Sequence, residues 1–262
     1  MGRANEAALR EIAPDVHCLG PRGFTQTNVF FVRSGRSWVL VDAGWEKDAA
    51  AIEHAATTLF GAETSPAAIL LTHCHPDHSG SALPLARAWK APVFMRAPEV
   101  PLATGDFEAL RSGSGPLDVW IILPLLNLMG RKRRDAVLAR SSLAGVARVL
   151  DADGSVPALP GWRWLATPGH TPGHASFFRE ADRVLISGDA LLTLKVNSPL
   201  GLLLHRTGLS GPPWYTTWSA RAAAESISAL AALRPNVLAP GHGVVLAGPG
   251  TADACAAFAR TS

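Results

Sequence analysis

Three histidines and one aspartate fall within six consecutive residues, His73-Cys74-His75-Pro76-Asp77-His78. Imidazole nitrogen and carboxylate oxygen are the donors that divalent zinc and its first-row neighbours take. The cluster follows Ala68 to Leu71, an apolar run that reads as a buried strand. On extended backbone, residues two apart point to one side, so His73 and His75 can grip one ion. Pro76 has no amide hydrogen and ends the strand. Asp77 and His78 then open a helical stretch and face a second point in space. A polar surface loop is the plain alternative, but four ligand-type residues at this spacing are unusual for one.

Four more ligand-type residues share the design. Asp42, His170, Asp189 and His242 each follow a short apolar strand, with a glycine close by in Asp42-Ala43-Gly44, Gly169-His170, Gly188-Asp189 and Gly241-His242. Each stretch alone is ordinary turn sequence. Their repetition argues that they converge, because α/β scaffolds build sites from loops at one edge of a rigid sheet. His174 is read either as a support or pocket residue beside His170 or as a plain strand-edge histidine. Cys74 alternates away from its flanking histidines and reads as packing. His17, His54 and His205 belong to no motif.

The elements that must position these residues are legible in outline. Asp15 to Leu19 reads as a strand, and Thr27 to Arg33 with Ser37 to Val41 as a hairpin. Lys47 to Phe60 is helical, with Gly61 as its C-cap. The helix opened by Asp77 is expected to run on through Ser81 to Trp89, followed by a strand at Pro92 to Met95. Residues 96–150 are less regular. Within them Arg111 to Pro116 is a Gly/Ser segment, and Leu117 to Met129 is strongly apolar and runs straight into Arg131-Lys132-Arg133-Arg134. This stretch is expected to be a lid or a helix packed on the core. A shallow membrane contact, with the basic residues at the headgroups, is the lesser alternative. Strands are expected again at Ala147 to Leu150, Trp162 to Ala166, Ala175 to Phe178, Arg183 to Ile186 and Val237 to Ala239, with a helix at Trp218 to Leu233. Lys195 to Tyr215 is a second apolar, glycine-rich candidate lid.

The chain has 262 residues, of which 48% are hydrophobic and 17% charged, so a large core is expected and disorder is not. It reads as a single domain over 1–262. The net charge of +3 is too weak to indicate nucleic acid as a partner. Three scattered cysteines, Cys18, Cys74 and Cys255, suggest no disulfide framework and a reducing, cytoplasmic setting. Met1 to Pro14 lacks the apolar centre of a signal peptide. No apolar stretch is long enough to span a bilayer. Oligomeric state is left open.

Taken together, His73-x-His75-x-Asp77-His78 with Asp42, His170, Asp189 and His242 resembles the metallo-β-lactamase-fold superfamily, and does so over nearly the whole chain. The resemblance implies an α/β αββα sandwich with two metal ions at one edge of its sheets. It implies that His73, His75 and His170 hold the first ion, that Asp77, His78 and His242 hold the second, and that Asp189 bridges them. Asp42 is implied to orient a ligand histidine from behind, and His174 to do the same or line the pocket. His73, His75, Asp77 and Asp189 are the expected catalytic set, acting through a hydroxide shared by the ions. Zinc is the expected metal, with iron or manganese as alternatives.

The pattern resembles glyoxalase II and the lactonases within that superfamily, because the retained Asp189 separates it from true β-lactamases. The expected reaction is hydrolysis of an ester, thioester or lactone. Two departures stand out. Little chain follows His242, where glyoxalase II has a helical domain. Ala190-Leu191-Leu192-Thr193 stands where acyl-homoserine lactonases carry a tyrosine, and the sole tyrosine, Tyr215, lies in the second lid. The Leu-, Ile- and Trp-rich lids point to a small-molecule substrate with a hydrophobic acyl or aromatic group. Thr72-His73-Cys74-His75 and Gly188-Asp189-Ala190-Leu191 are also similar to one-iron persulfide dioxygenases, which supply an oxidoreductase alternative. A nuclease reading would lean on Arg131 to Arg134 alone.

Overall fold

The computed structural model describes residues 9–262, so the first eight residues of the Met1 to Pro14 stretch lie outside the described part. Seven strands form one sheet in chain order: β1 (Leu9–Ala13), β2 (Val16–Arg22), β3 (Thr27–Ser34), β4 (Ser37–Val41), β5 (Ala68–Leu70), β6 (Val93–Met95) and β7 (Ala147–Val149). Neighbours from β1 to β4 are antiparallel and those from β4 to β7 parallel. The second part of the chain supplies β8 (Trp162–Ala166), β9 (Ala175–Arg179) and β10 (Val184–Gly188), a separate pair β11 (Leu192–Leu194) and β12 (Thr207–Ser210), then β13 (Val237–Pro240) and β14 (Leu246–Ala247). Its five-stranded sheet has the order β14-β13-β10-β9-β8.

Side-chain alternation explains why the sheets stack. Successive residues of a strand face opposite ways. In β3, Phe30 and Val32 join Val39 and Val41 of β4 and Ala68 and Leu70 of β5 in a core shared with Phe177, Val184, Ile186 and Ala239 of the other sheet. The alternate residues, Val29, Phe31, Leu40 and Ile69, pack outward on Ile52, Ala55, Leu85 and Ala86 of helices 49–60 and 82–89. On the far side, Phe178, Leu185 and Leu238 meet Ile227, Leu230 and Cys255 of helices 220–232 and 251–259. Helix, sheet, sheet, helix is therefore the layer order, the αββα sandwich that the motif resemblance implied.

Two local expectations are corrected and one strand is added. The helix opened by Asp77 does not run through to Trp89. It ends at Ser79 and restarts at Ala82, because Gly80 N–H donates to Gly44 O and Ser81 Oγ to Trp45 O, turning the chain sideways onto the loop after β4. The N-terminal segment contains a strand, β1, whose Arg10 and Glu11 suit an exposed sheet edge. Packing of Leu117 to Met129 on the core holds for Leu123 alone, which is 5% exposed, whereas Trp120, Leu125 and Leu128 are 79%, 56% and 84% exposed. That stretch is a turn of π-helix, Asp118–Ile122, running into helix 123–128.

Candidate metal centre

The edge where the two sheets meet is stitched by main chain. Asn28 N–H at the start of β3 donates to Gly241 O, and Gly243 N–H donates to Gln26 O. The Asn28 side chain donates to Pro240 O and Gly243 O. Onto this edge open the loops after β4, β5, β8, β10 and β13, carrying Asp42, the His73 to His78 cluster, His170, Asp189 and His242. Gly241 leaves room there: a Cβ at that position would run into Asp189 Oδ1 and the His78 ring.

All nine residues singled out in the sequence meet at this edge. Three overlapping groups have ligand atoms within 4.8 Å of one another: His73, His75 and His170; His73, His78 and Asp189; and Asp77, His78 and His242. His75 Nδ1 lies 2.8 Å from His170 Nε2. Asp189 sits between the groups, with Oδ1 3.2 Å from His78 Nε2 and Oδ2 3.4 and 3.3 Å from the Nε2 atoms of His170 and His242. Asp77 Oδ2 is 3.3 Å from His242 Nε2.

The opposite ring nitrogens are tied from behind. His78 Nδ1–H donates to Asp42 Oδ2 at 2.8 Å, and His242 Nδ1–H to Thr25 O at 2.7 Å. The Thr72 hydroxyl donates to Asp42 and lies 3.1 Å from His73 Nδ1, which leaves His73 Nε2 facing the cluster. His174 is not part of the cluster surface. Its Nε2 accepts from Asp189 N–H at 3.0 Å and its Nδ1 pairs with Thr167 Oγ1 at 2.8 Å, so it fixes the main chain that carries Asp189.

Charge divides the cluster into two halves. Burial, then the imidazoles of His78, His170 and His75, hold His73 well below the usual histidine range. Burial and the His75 ring do the same to His170, and burial brings His174 down to about 3. Burial opposes charge on His78 too, but Asp189, Asp42 and Asp77 outweigh it and raise its pKa well above the ordinary value. At His242 burial is likewise outweighed, by Asp189 and Asp77, and the pKa rises to about 10. The Asp77 and Asp189 carboxyls are lowered against their own burial, by His78 and His242.

The donor set fits divalent metal. His73 Nε2 and Asp189 Oδ1 are buried atoms without a hydrogen-bond partner, in the middle of an imidazole and carboxylate cluster. A cation there would satisfy both.

Above the cluster lies a cavity of about 250 Å³, whose wall includes Trp45, Asp118, Val196, Leu202, Tyr215 and Thr216. A second cavity of about 240 Å³ adjoins it and shares His75, Pro76 and Asp118. Leu102, Leu110, Ile122, Leu123, Leu126 and Leu138 make it mostly apolar. Both candidate lids thus contribute wall. A larger groove of about 620 Å³ around Leu9, Arg22 and His54 contains none of the cluster residues.

Several contributors had no signal in the sequence. Glu99 is fully buried and accepts from Cys74 N–H, Gly173 N–H and the Thr171 hydroxyl, tying the loop of His73 and His75 to the loop of His170. Nothing in Arg96-Ala97-Pro98-Glu99 announces this. Thr72 stood inside the motif, and only its contact with Asp42 gives it a role.

A four-layer sandwich with a histidine and aspartate cluster at its edge defines a metal-dependent hydrolase architecture. The chain belongs to the Metallo-beta-lactamase superfamily, whose sequence profile matches residues 22–242, and is an enzyme of its metal-dependent hydrolase class. It is 39% identical over 228 residues to the probable metallo-hydrolase YflN of Bacillus subtilis (strain 168), covering 84% of this chain and 82% of that one. It is 28% identical over 170 residues to the probable metallo-hydrolase YybB of the same organism, covering 64% and 63%. Among solved structures, TTHA1623 in a di-iron-bound form is 27% identical with a TM-score of 0.53, covering 86% of this chain and 92% of that one. The metallo-beta-lactamase family protein TTHA1429 from Thermus thermophilus is 24% identical with a TM-score of 0.65, covering 96% and 81%, and shows the shared fold.

Proposed function

We propose that the chain is a dinuclear hydrolase of uncharged carboxylic esters, thioesters or lactones with a hydrophobic acyl or aromatic group. His73, His75 and His170 would hold one ion, Asp77, His78 and His242 the other, and Asp189 both, with zinc as the native metal. The observation that carries the reading is the pairing of this cluster with an adjoining apolar cavity. The second group, Asp77, His78 and His242, favours two ions over the single iron of the dioxygenase alternative. Among the described residues, no lysine or arginine lines the cavity over the cluster, whereas Asp77, Asp118 and Asp189 do. A phosphodiester would find no protein cation there to hold its charge beyond the proposed ions, and Asp118 would repel it, which makes a nuclease the weaker reading.

Bound divalent metal supplies Lewis acidity and a nucleophile at neutral pH. The protein's own residues do the rest. Asp42 and Thr72 fix the rings of His78 and His73, and His174 holds the Asp189 main chain. Asp77 offers a carboxylate oxygen at the cavity floor for a hydrogen bond to the attacking water. Tyr215 brings a phenol to the same cavity, and burial followed by Asp189 and Asp77 raises its pKa, so it stays a hydrogen-bond donor to a substrate oxygen. Leu102, Ile122 and Leu126 exclude water from the apolar end. The three free cysteines suit a cytoplasmic setting.

Metal analysis combined with an ester, thioester and lactone panel tests this. Two equivalents of metal, with long-chain neutral substrates preferred over short charged ones, are expected. Asp189→Ala should lose metal and turnover. One equivalent of iron with oxygen uptake, or full activity in that variant, overturns the reading.

A further inference from the structure

We propose that the exposed face of residues 117–129, with Arg131, Lys132 and Arg133 beside it, docks on an anionic lipid bilayer. The sequence allowed this surface to be core, but the structure leaves it uncovered. Trp120, Leu125 and Leu128 each present more than half of their surface to solvent, and Ile121 and Met129 extend the patch. Scattered exposed apolar residues need no explanation, whereas a contiguous run on one helical segment marks an interaction site.

Charge selects the occupant. Helix 131–140 opens with four cations, and across its length carries five against the single carboxylate Asp135. Arg134 folds inward onto the Phe107 ring and Asn127, while Arg131, Lys132 and Arg133 stay exposed. Lys132 and Arg133 pair with no carboxylate among the described residues. Apolar side chains, an exposed tryptophan and free cations side by side are the composition that lies in a headgroup layer. A second copy of the chain would bring the same cations to the contact, where anionic lipid brings complementary charge. Among the described residues no helix is long and apolar enough to cross a membrane, so the segment would lie on the bilayer.

The surface also communicates with the candidate centre. Ile122 is 42% exposed on the outside and lines the apolar cavity on the inside. The second lid continues the face. Gly115 packs so closely on the Thr216 and Thr217 main chain that a Cβ would collide. Trp218 Nε1–H donates to Ser112 O, and Trp214 is 65% exposed. One helical layer therefore separates the docking face from the cavity, and an acyl chain leaving the bilayer has a short route inward. The docking itself does not depend on the hydrolase reading.

Flotation with vesicles tests it, using phosphatidylcholine alone against phosphatidylcholine containing roughly a third phosphatidylglycerol. The protein should partition at least about tenfold better onto the anionic vesicles, and lose that preference at high salt. Trp120→Ser/Leu125→Ser/Leu128→Ser should weaken binding at least tenfold while keeping its circular dichroism and metal content. Lys132→Glu/Arg133→Glu should abolish the anionic preference. Absence of binding to anionic vesicles, or binding by the triple serine variant as strong as wild type, overturns the proposal. A dimer that the triple variant disperses, without vesicle binding, overturns it in favour of a second copy. None of these measurements uses turnover, so failure here is distinct from failure of the hydrolase assignment.

Discussion

Asp42 Oδ2 lies 2.8 Å from His78 Nδ1, and the same carboxylate accepts from the hydroxyl and main-chain N–H of Thr72, whose hydroxyl neighbours His73 Nδ1. One buried carboxylate therefore orients a histidine in each half of the cluster. Asp42→Asn keeps the volume and removes charge and one acceptor. Metal affinity is expected to fall about 10–100-fold, measured by chelator competition at both sites. Unchanged affinity would show that the rings are held by packing alone.

The two halves should respond differently to pH. Metal ligation needs neutral imidazole, so protons on a ligand histidine compete with the ion. In the metal-free protein His78 and His242 have raised pKa values, about 10 for His242, and carry protons at neutral pH. Their protons must leave, so binding there strengthens as pH rises toward that value and weakens as pH falls. His73 and His170 have lowered values and are already neutral. Calorimetric metal titration at several pH values should show one ion binding with little proton release. For the other, log affinity should climb by about one per pH unit for each proton displaced. Equal slopes for both ions would refute the asymmetry.

The centre was legible because its design is local: strand, glycine, ligand, repeated at Asp42, His170, Asp189 and His242, plus a dense cluster at His73 to His78. The sandwich followed from the motif set, and alternation in β3 and β10 explains its layers. What escaped depends on contacts distant in sequence. Gly80 and Ser81 break a helix because the loop at Gly44 and Trp45 takes their hydrogen bonds. Glu99 matters only through loops at Cys74 and Thr171. The exposure of Trp120 and Leu128 could not be read from an apolar run, since apolar residues face core or surface according to what else the chain brings over them.

Cysteine chemistry should be quiet in the folded protein. Burial pushes Cys18 up to about 12 and Cys255 up to about 11. Burial and then the Glu99 carboxylate raise Cys74 well above the usual thiol value. Since the thiolate is the reactive species, native labelling at mildly alkaline pH should be on the order of 100-fold slower than for a free cysteine. All three thiols should label once the chain is unfolded. Cys74 is half-buried on the wall of the apolar cavity, so fast labelling mapped to it would contradict the raised pKa that burial and Glu99 give its thiol.

Glu99 provides the last test, because its carboxylate joins two loops that no sequence motif connects. Oε2 accepts from Cys74 N–H at 3.0 Å, and Oε1 accepts from Gly173 N–H at 2.9 Å and from the Thr171 hydroxyl. Glu99→Gln retains one acceptor oxygen and sets an NH₂ group against a main-chain N–H in a site that water does not reach. Leaving that donor unpaired costs about 1–3 kcal/mol, or about 2–4 °C in Tm for each kcal/mol in a chain of this size. The loss should appear in metal-free protein, where only the loop tie is at stake. Affinity for the ion proposed at His73, His75 and His170 should fall as well, because the variant loosens the link between the loops that present them. A variant with wild-type Tm and wild-type metal affinity would mean that Glu99 fills space without positioning the centre.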